Sequence, residues 1–178
     1  MLLVTRLRAW SVRGVLAQGL LACVVVVGPA LPAQVGAGEI GFMLGSNGAT
    51  FGTTCPRTFS CTYLAADLAR GLPADFTVRG VPNQPFAIAL WIDQPHQCLG
   101  LPGFHNSLFA ASVVLPFAGT LTQPDRILAC PGGLETIRVP IPAALPVGTA
   151  LTMQALAYSY WNGGQVPTFT MALRATIR

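Results

Sequence analysis

Residues 168–178 alternate apolar and polar side chains in step. Phe169, Met171, Leu173, Ala175 and Ile177 fall on one face, and Thr168, Thr170, Arg174, Thr176 and Arg178 on the other. A period of two is the repeat of a β-strand with one buried face, whereas a helix would need a period near 3.6. Just upstream, Trp161-Asn162-Gly163-Gly164 supplies residues that accept positive φ, and residues 150–160 read as a partner strand, so the pair is an expected hairpin. The same pattern recurs: Phe76 and Val78 against Asp75, Thr77 and Arg79; Phe86, Ile88, Leu90 and Ile92 against Ala87, Ala89, Trp91 and Asp93; Ile137, Val139 and Ile141 against Thr136, Arg138 and Pro140. Residues 112–117 add a short apolar strand, and 63–69 fit helix or strand equally. Turn residues punctuate these runs about every ten positions, the spacing of a sandwich or barrel. The expected fold is all-β: an antiparallel two-sheet sandwich, Ig-like or jelly-roll-like, preceded by an N-terminal signal helix.

The first 37 residues differ in kind. Arg6, Arg8 and Arg13 precede an uncharged run, 14–33, that includes Leu20-Leu21-Ala22-Cys23-Val24-Val25-Val26-Val27; small residues follow in Gly28-Pro29-Ala30 and Val35-Gly36-Ala37. A basic head, an apolar middle and a small-residue end mark an export signal. The expected organisation is a signal peptide over 1–37 and one β-sandwich domain over 38–178, with the product secreted or held at a bacterial cell surface or in the periplasm. Run 14–33 is also long enough to act as a retained membrane anchor, and Cys23 has the setting of a lipid acceptor. No later apolar run is long enough to span a bilayer, because Pro, Gly or Arg interrupts each one.

The signal segment also distorts the charge. The whole chain carries +4 with no lysine; past residue 37, seven arginines against six acids leave +1. Those arginines are scattered singly, without the dense basic stripe that neutralises phosphates. Nucleic acid is excluded as an expected partner, and a membrane enters only if the N-terminal segment is retained.

With Cys23 in the signal, Cys55, Cys61, Cys98 and Cys130 remain. An even number in an oxidising compartment points to two disulfides, with three pairings open. Sequence proximity favours Cys55–Cys61 and Cys98–Cys130. A competing reading gathers Asp93, His96, Cys98 and His105 as a metal site, since two histidines and a cysteine on an exported β-sandwich resemble the copper ligands of cupredoxins. That family packs its ligands more tightly, with an axial Met close by, and here no methionine follows at short range. No metal or other cofactor is therefore expected.

Catalysis needs a nucleophile with its base, or paired carboxylates. Asp67, Asp75, Asp93, Asp125 and Glu135 stand singly, and Gly45-Ser46-Asn47-Gly48 has turn spacing rather than that of a nucleophile elbow. No catalytic residue is assigned. The candidate binding residues are aromatic: Tyr158 and Tyr160 share one strand face, and Trp161 stands at the adjoining turn. If Leu151, Met153, Ala155 and Ala157 face the core, the three rings form an outward platform for sugar rings or a protein partner. In the opposite arrangement the tyrosine face is the buried one.

The stretch Ile141-Pro142-Ala143-Ala144-Leu145-Pro146-Val147-Gly148, continued by Thr149-Ala150-Leu151-Thr152-Met153-Gln154-Ala155-Leu156, resembles a small module recurring at the C-termini of exported proteins from planctomycete-type bacteria. Phe76-Thr77-Val78-Arg79-Gly80-Val81-Pro82-Asn83-Gln84-Pro85 resembles its strand-turn-strand unit. Two departures are visible: Ala157-Tyr158-Ser159-Tyr160 stands where the module has an aspartate, and Met171-Ala172 where it commonly has Ser-Asn. The resemblance implies a secreted β-sandwich with no assigned activity. The functional expectation is a non-catalytic exported surface, structural or binding module whose partner is a polysaccharide or a cell-surface protein. A carbohydrate-binding module on the aromatic platform and, further off, a small metal-binding protein are the alternatives.

Overall fold

The structure, a computed structural model, describes residues 40–55, 62–92, 98–109, 114–127 and 129–178. The chain divides into two compact units, Met1–Leu31 and Pro32–Arg178, and every described residue belongs to the second. The expected signal segment lies outside the described residues.

Among the described residues thirteen strands follow in order: β1 (Gly41–Ser46), β2 (Ala49–Thr53), β3 (Tyr63–Leu68), β4 (Pro73–Gly80), β5 (Pro85–Ile92), β6 (Cys98–Gly100), β7 (Ser107–Phe109), β8 (Val114–Thr120), β9 (Gln123–Pro124), β10 (Gly133–Pro140), β11 (Ala150–Trp161), β12 (Gly164–Phe169) and β13 (Ala172–Ile177). One sheet has the order β2-β1-β4-β10-β9. The second has β3-β13-β11-β5-β8, with β12 also paired to β11; β6 and β7 form a small hairpin. The expected all-β sandwich is what forms, and segment 63–69 resolves as strand. Among the named strands of the described residues, pairing is antiparallel except that β3 runs parallel to β13, from Tyr63 beside Ala172 to Leu68 beside Ile177.

The two sheets meet through alternate residues. Phe42, Leu44, Phe76 and Val78 come from the first, and Ile88, Met153, Ala155, Leu173, Ala175 and Ile177 from the second, in one buried cluster. Each fully buried large side chain contributes on the order of 1.5–3 kcal/mol of transfer free energy, so this interior is the main source of stability. The turns follow their residue chemistry. Asn47-Gly48 (φ 47° and 78°) and Asn162-Gly163 (φ 49° and 79°) sit at the tips of the β1–β2 and β11–β12 hairpins. Two consecutive positive-φ residues suit the type I′ turn, whose twist matches that of the strands.

The C-terminal alternation is interrupted. Leu156 pairs with Phe169, but Met153 pairs with Leu173, so one extra residue lies between β12 and β13. At this bulge the Thr170 hydroxyl accepts the Ala155 amide at 2.9 Å, and the Thr170 amide donates to the Ala155 carbonyl at 2.9 Å. A one-residue insertion flips every later side chain. Phe169 therefore shares a face with Leu156, outside the sandwich, while Leu173, Ala175 and Ile177 face the core. The single continuous strand expected over 168–178 is two strands with opposite facing.

The expected disulfides are also corrected. Cys55 bonds Cys130, with Cα atoms 5.3 Å apart and a separation of 75 residues; Cys55–Cys61 and Cys98–Cys130 do not form. In the sheet, β1 and β4 lie between β2, which ends just before Cys55, and β10, which starts just after Cys130. Cys55 reaches across because Gly41 has no side chain: a Cβ there would stand 3.0 Å from the Cys55 nitrogen and 3.0 Å from the Thr53 carbonyl oxygen. Sequence proximity could not register that crossing. Beside the bridge, Arg79 Nη1 lies 2.6 Å from Asp125 Oδ2, with the side chains 14% and 3% exposed. At that burial, removing one partner strands the other charge.

Candidate functional site

The middle of the second sheet is buried on both faces. Its inner face carries Leu151, Met153, Ala155 and Ala157 from β11 into the core. Its outer face carries Thr152 and Gln154, also buried, beside a separate cluster of Ala89, Trp91, Phe109 and Ala172, with Leu108 against it. The cover is the strap 98–109, which contains the β6–β7 hairpin.

The Gln154 side chain fastens the far end of that strap. Gln154 Oε1 accepts the Phe109 amide at 2.9 Å, and Nε2 donates to the Ser107 carbonyl at 3.1 Å and to the Thr170 carbonyl at 2.6 Å. The bulge turns the Thr170 carbonyl away from the ladder, and the amide of Gln154 takes it up. A buried amide is stable only when so satisfied. Further along, the His105 amide donates to the Pro167 carbonyl at 2.8 Å, and the Phe169 amide donates to the His105 carbonyl at 3.1 Å. Asn106, at φ 64°, donates its side-chain amide to the Phe169 carbonyl at 3.1 Å. The strap thus pairs in parallel with the free edge of β12 before it crosses the outer face.

This edge pairing sets two ring stacks at the hairpin corner. His105 lies on Trp161 with ring centroids 4.1 Å apart and planes 28° from parallel. Phe104 lies on Phe169 at 5.3 Å and 20°. Trp161 remains 43% exposed and Phe104 38%, so each pair leaves aromatic surface to solvent. Nearby, Tyr158 and Tyr160 are half-buried and sit directly opposite Pro167 and Gln165. Within the interior end of the hairpin, the Ser159 and Thr168 hydroxyls pair at 2.6 Å, which satisfies two buried polar groups with each other.

The structure therefore divides the aromatic platform expected of Tyr158, Tyr160 and Trp161. Leu151, Met153, Ala155 and Ala157 do face the core, and the tyrosines lie on the opposite face. Strand alternation then places Trp161 on the other side from Tyr160, where it meets His105. Sequence reading missed Phe104, the role of His105 as a stacking partner, and Gln154. The available signal was Gln154 itself, a lone amide inside a long uncharged strand.

The alternative metal ligands do not assemble among the described residues. Asp93 and His96 lie outside them, Cys98 is disulfide-bonded and carries no thiolate, and His105 is stacked on Trp161. Among the described residues no group of three His, Cys, Asp or Glu side chains is placed to hold a metal ion. At the opposite end of the sandwich, a shallow depression of about 380 Å³ is lined by residues that include Asn47, Gly48, Leu72, Asp75 and Arg138. Arg138 and Asp75 stand 3.9 Å apart with mostly solvated side chains, a pair that contributes little.

Compared with known proteins, the sequence matches no family model and no curated protein.

Proposed function

We propose that this chain is an exported, non-catalytic β-sandwich module that serves at or beyond the cell surface as a binding or structural unit. The observation that carries the proposal is the disulfide frame: Cys55 is bonded to Cys130 across the first sheet, and Cys98 is also disulfide-bonded. Disulfides of this kind persist in oxidising compartments and are rare in the cytosol. The export-signal pattern of residues 1–37 supports the same compartment, with cleavage near Ala37 or retention as an anchor. The resemblance to the C-terminal module of planctomycete-type exported proteins agrees with a secreted sandwich.

The polar side chains support a non-catalytic role. Gln154, Thr170, Ser159 and Thr168 bond to backbone groups or to each other, Asp125 pairs with Arg79, and His105 stacks on Trp161. Each has a structural partner that explains its burial or orientation. The partner proposed is a polysaccharide or a protein of the cell surface.

Peptide mapping of the protein recovered from its native host, without reduction, tests the proposal. The expected result is a peptide pair joining Cys55 to Cys130, a blocked Cys98 and a new N-terminus near residue 38 in the exported fraction. Free thiols on a chain retained in the cytosol would overturn it, as would one stoichiometric metal ion per chain by elemental analysis.

A further inference from the structure

The corner formed by the β11–β12 hairpin and strap residues 104–106 is aromatic and rich in side-chain amides. No Arg, Lys, Asp or Glu occurs in 139–173, in 98–109 or in 80–92. These segments supply the hairpin, the strap and β5. Among the described residues, the segments that build the corner therefore contribute no acidic, lysine or arginine side chain with which to bind an anionic ligand or to steer a charged protein. They do offer a flat ring and, at the adjoining turn, the exposed side-chain amide of Asn162. That amide both donates and accepts hydrogen bonds.

We propose that the open face of Trp161 is a stacking site for the sugar rings of a neutral polysaccharide. The proposal rests on the reading of the chain as an exported module and names its ligand class. An apolar face of a pyranose ring lies flat on an indole, and its hydroxyls are left to solvent and to the adjoining Asn162 amide. Trp161 is prepared for this. One side of its ring is occupied by His105 at 4.1 Å, while 43% of the residue stays exposed. The tight Asn162-Gly163 turn fixes its backbone. An aromatic side chain already held in one orientation loses little conformational entropy on binding. Strap residue His105 is itself held by two backbone hydrogen bonds to β12, so the ring pair is an assembled feature of the fold. An uncharged ligand is the one class whose recognition needs nothing that this corner lacks.

Native affinity electrophoresis tests the proposal on the protein with its disulfides intact. The gels contain laminarin, xyloglucan or galactomannan as neutral probes, and polygalacturonate or heparin as anionic ones. Retardation by at least one neutral polysaccharide, unchanged by added salt, is expected. Trp161→Ala should weaken it about tenfold or more, the size expected of a central aromatic anchor. Trp161→Phe, which preserves a ring and the fold, should retain a measurable part. Tyr63→Ala, at a 40% exposed aromatic on β3, should leave binding unchanged. Migration unaffected by every neutral probe would overturn the site, as would salt-sensitive binding to the anionic probes alone, or a Trp161→Ala protein that binds like the parent. None of these failures would alter the disulfide map, so the exported-module reading is tested separately.

Discussion

The two sheets of the sandwich share one interior but treat their outer faces differently. The first sheet leaves its outer face to solvent, dresses it with paired polar side chains such as the Thr77 and Thr136 hydroxyls at 3.0 Å, and is tied at one end by Cys55–Cys130. The second covers its outer face with the strap 98–109, fastened from beneath by Gln154. The first sheet is held by a covalent bond at its margin; the strap over the second carries the disulfide-bonded Cys98 at its start and is held near its far end by the Gln154 amide. A covalent tie acts mainly on the unfolded chain. An amide clamp acts on the folded state, and does so locally.

That difference orders the expected effects. The double substitution Cys55→Ser with Cys130→Ser releases a loop of 75 residues, and loop-closure entropy puts the loss at about 4–5 kcal/mol. Urea denaturation under non-reducing conditions measures it; a loss below about 1 kcal/mol would mean that the bond does not constrain the chain as described. Met153→Ala empties a fully buried site in the shared interior and should cost about 2–5 kcal/mol, with the folded state losing protection everywhere rather than at one face. Gln154→Ala leaves the Phe109 amide buried without its acceptor and should cost about 1–3 kcal/mol. The loss should be accompanied by greater acrylamide quenching of Trp91, which the strap covers. Thr77→Val removes a solvated hydroxyl pair on the first sheet, and calorimetry should register no more than about 0.5–1 kcal/mol. Should Thr77→Val cost as much as Gln154→Ala, the contrast between the two faces would collapse.

Much of this arrangement was legible in the sequence, because alternation is a local signal. Phe76 and Val78, and Ile88, announced the inner faces of their strands, and Asn162-Gly163 announced the hairpin, while the alternation of residues 150–160 left open whether Met153 and Ala155 or the tyrosines face the core. What stayed hidden depended on contacts between distant segments. The bulge at Thr170 preserves an alternating pattern in the text while it reverses Phe169 relative to Leu173, and no composition rule marks it. The pairing of Cys55 with Cys130 follows from the strand order, in which two strands separate their anchors and Gly41 opens the path between them. The split of Tyr160 from Trp161 was present in the alternation, but only the edge pairing of His105 with Pro167 and Phe169 gave the tryptophan a partner. Parallel pairing of β3 with β13 likewise joins residues more than a hundred positions apart, beyond the reach of any local period.

Hydrogen–deuterium exchange on the Gln154→Ala protein, disulfides intact, tests most directly the claim that a separable cover lies over a self-sufficient sandwich. The amides of His105 and Phe109 should lose most of their protection while those of β4 and β10 keep theirs. Equal loss of protection across the strap and both sheets would contradict the account, because it would make the strap a part of the core rather than a cover fastened to it.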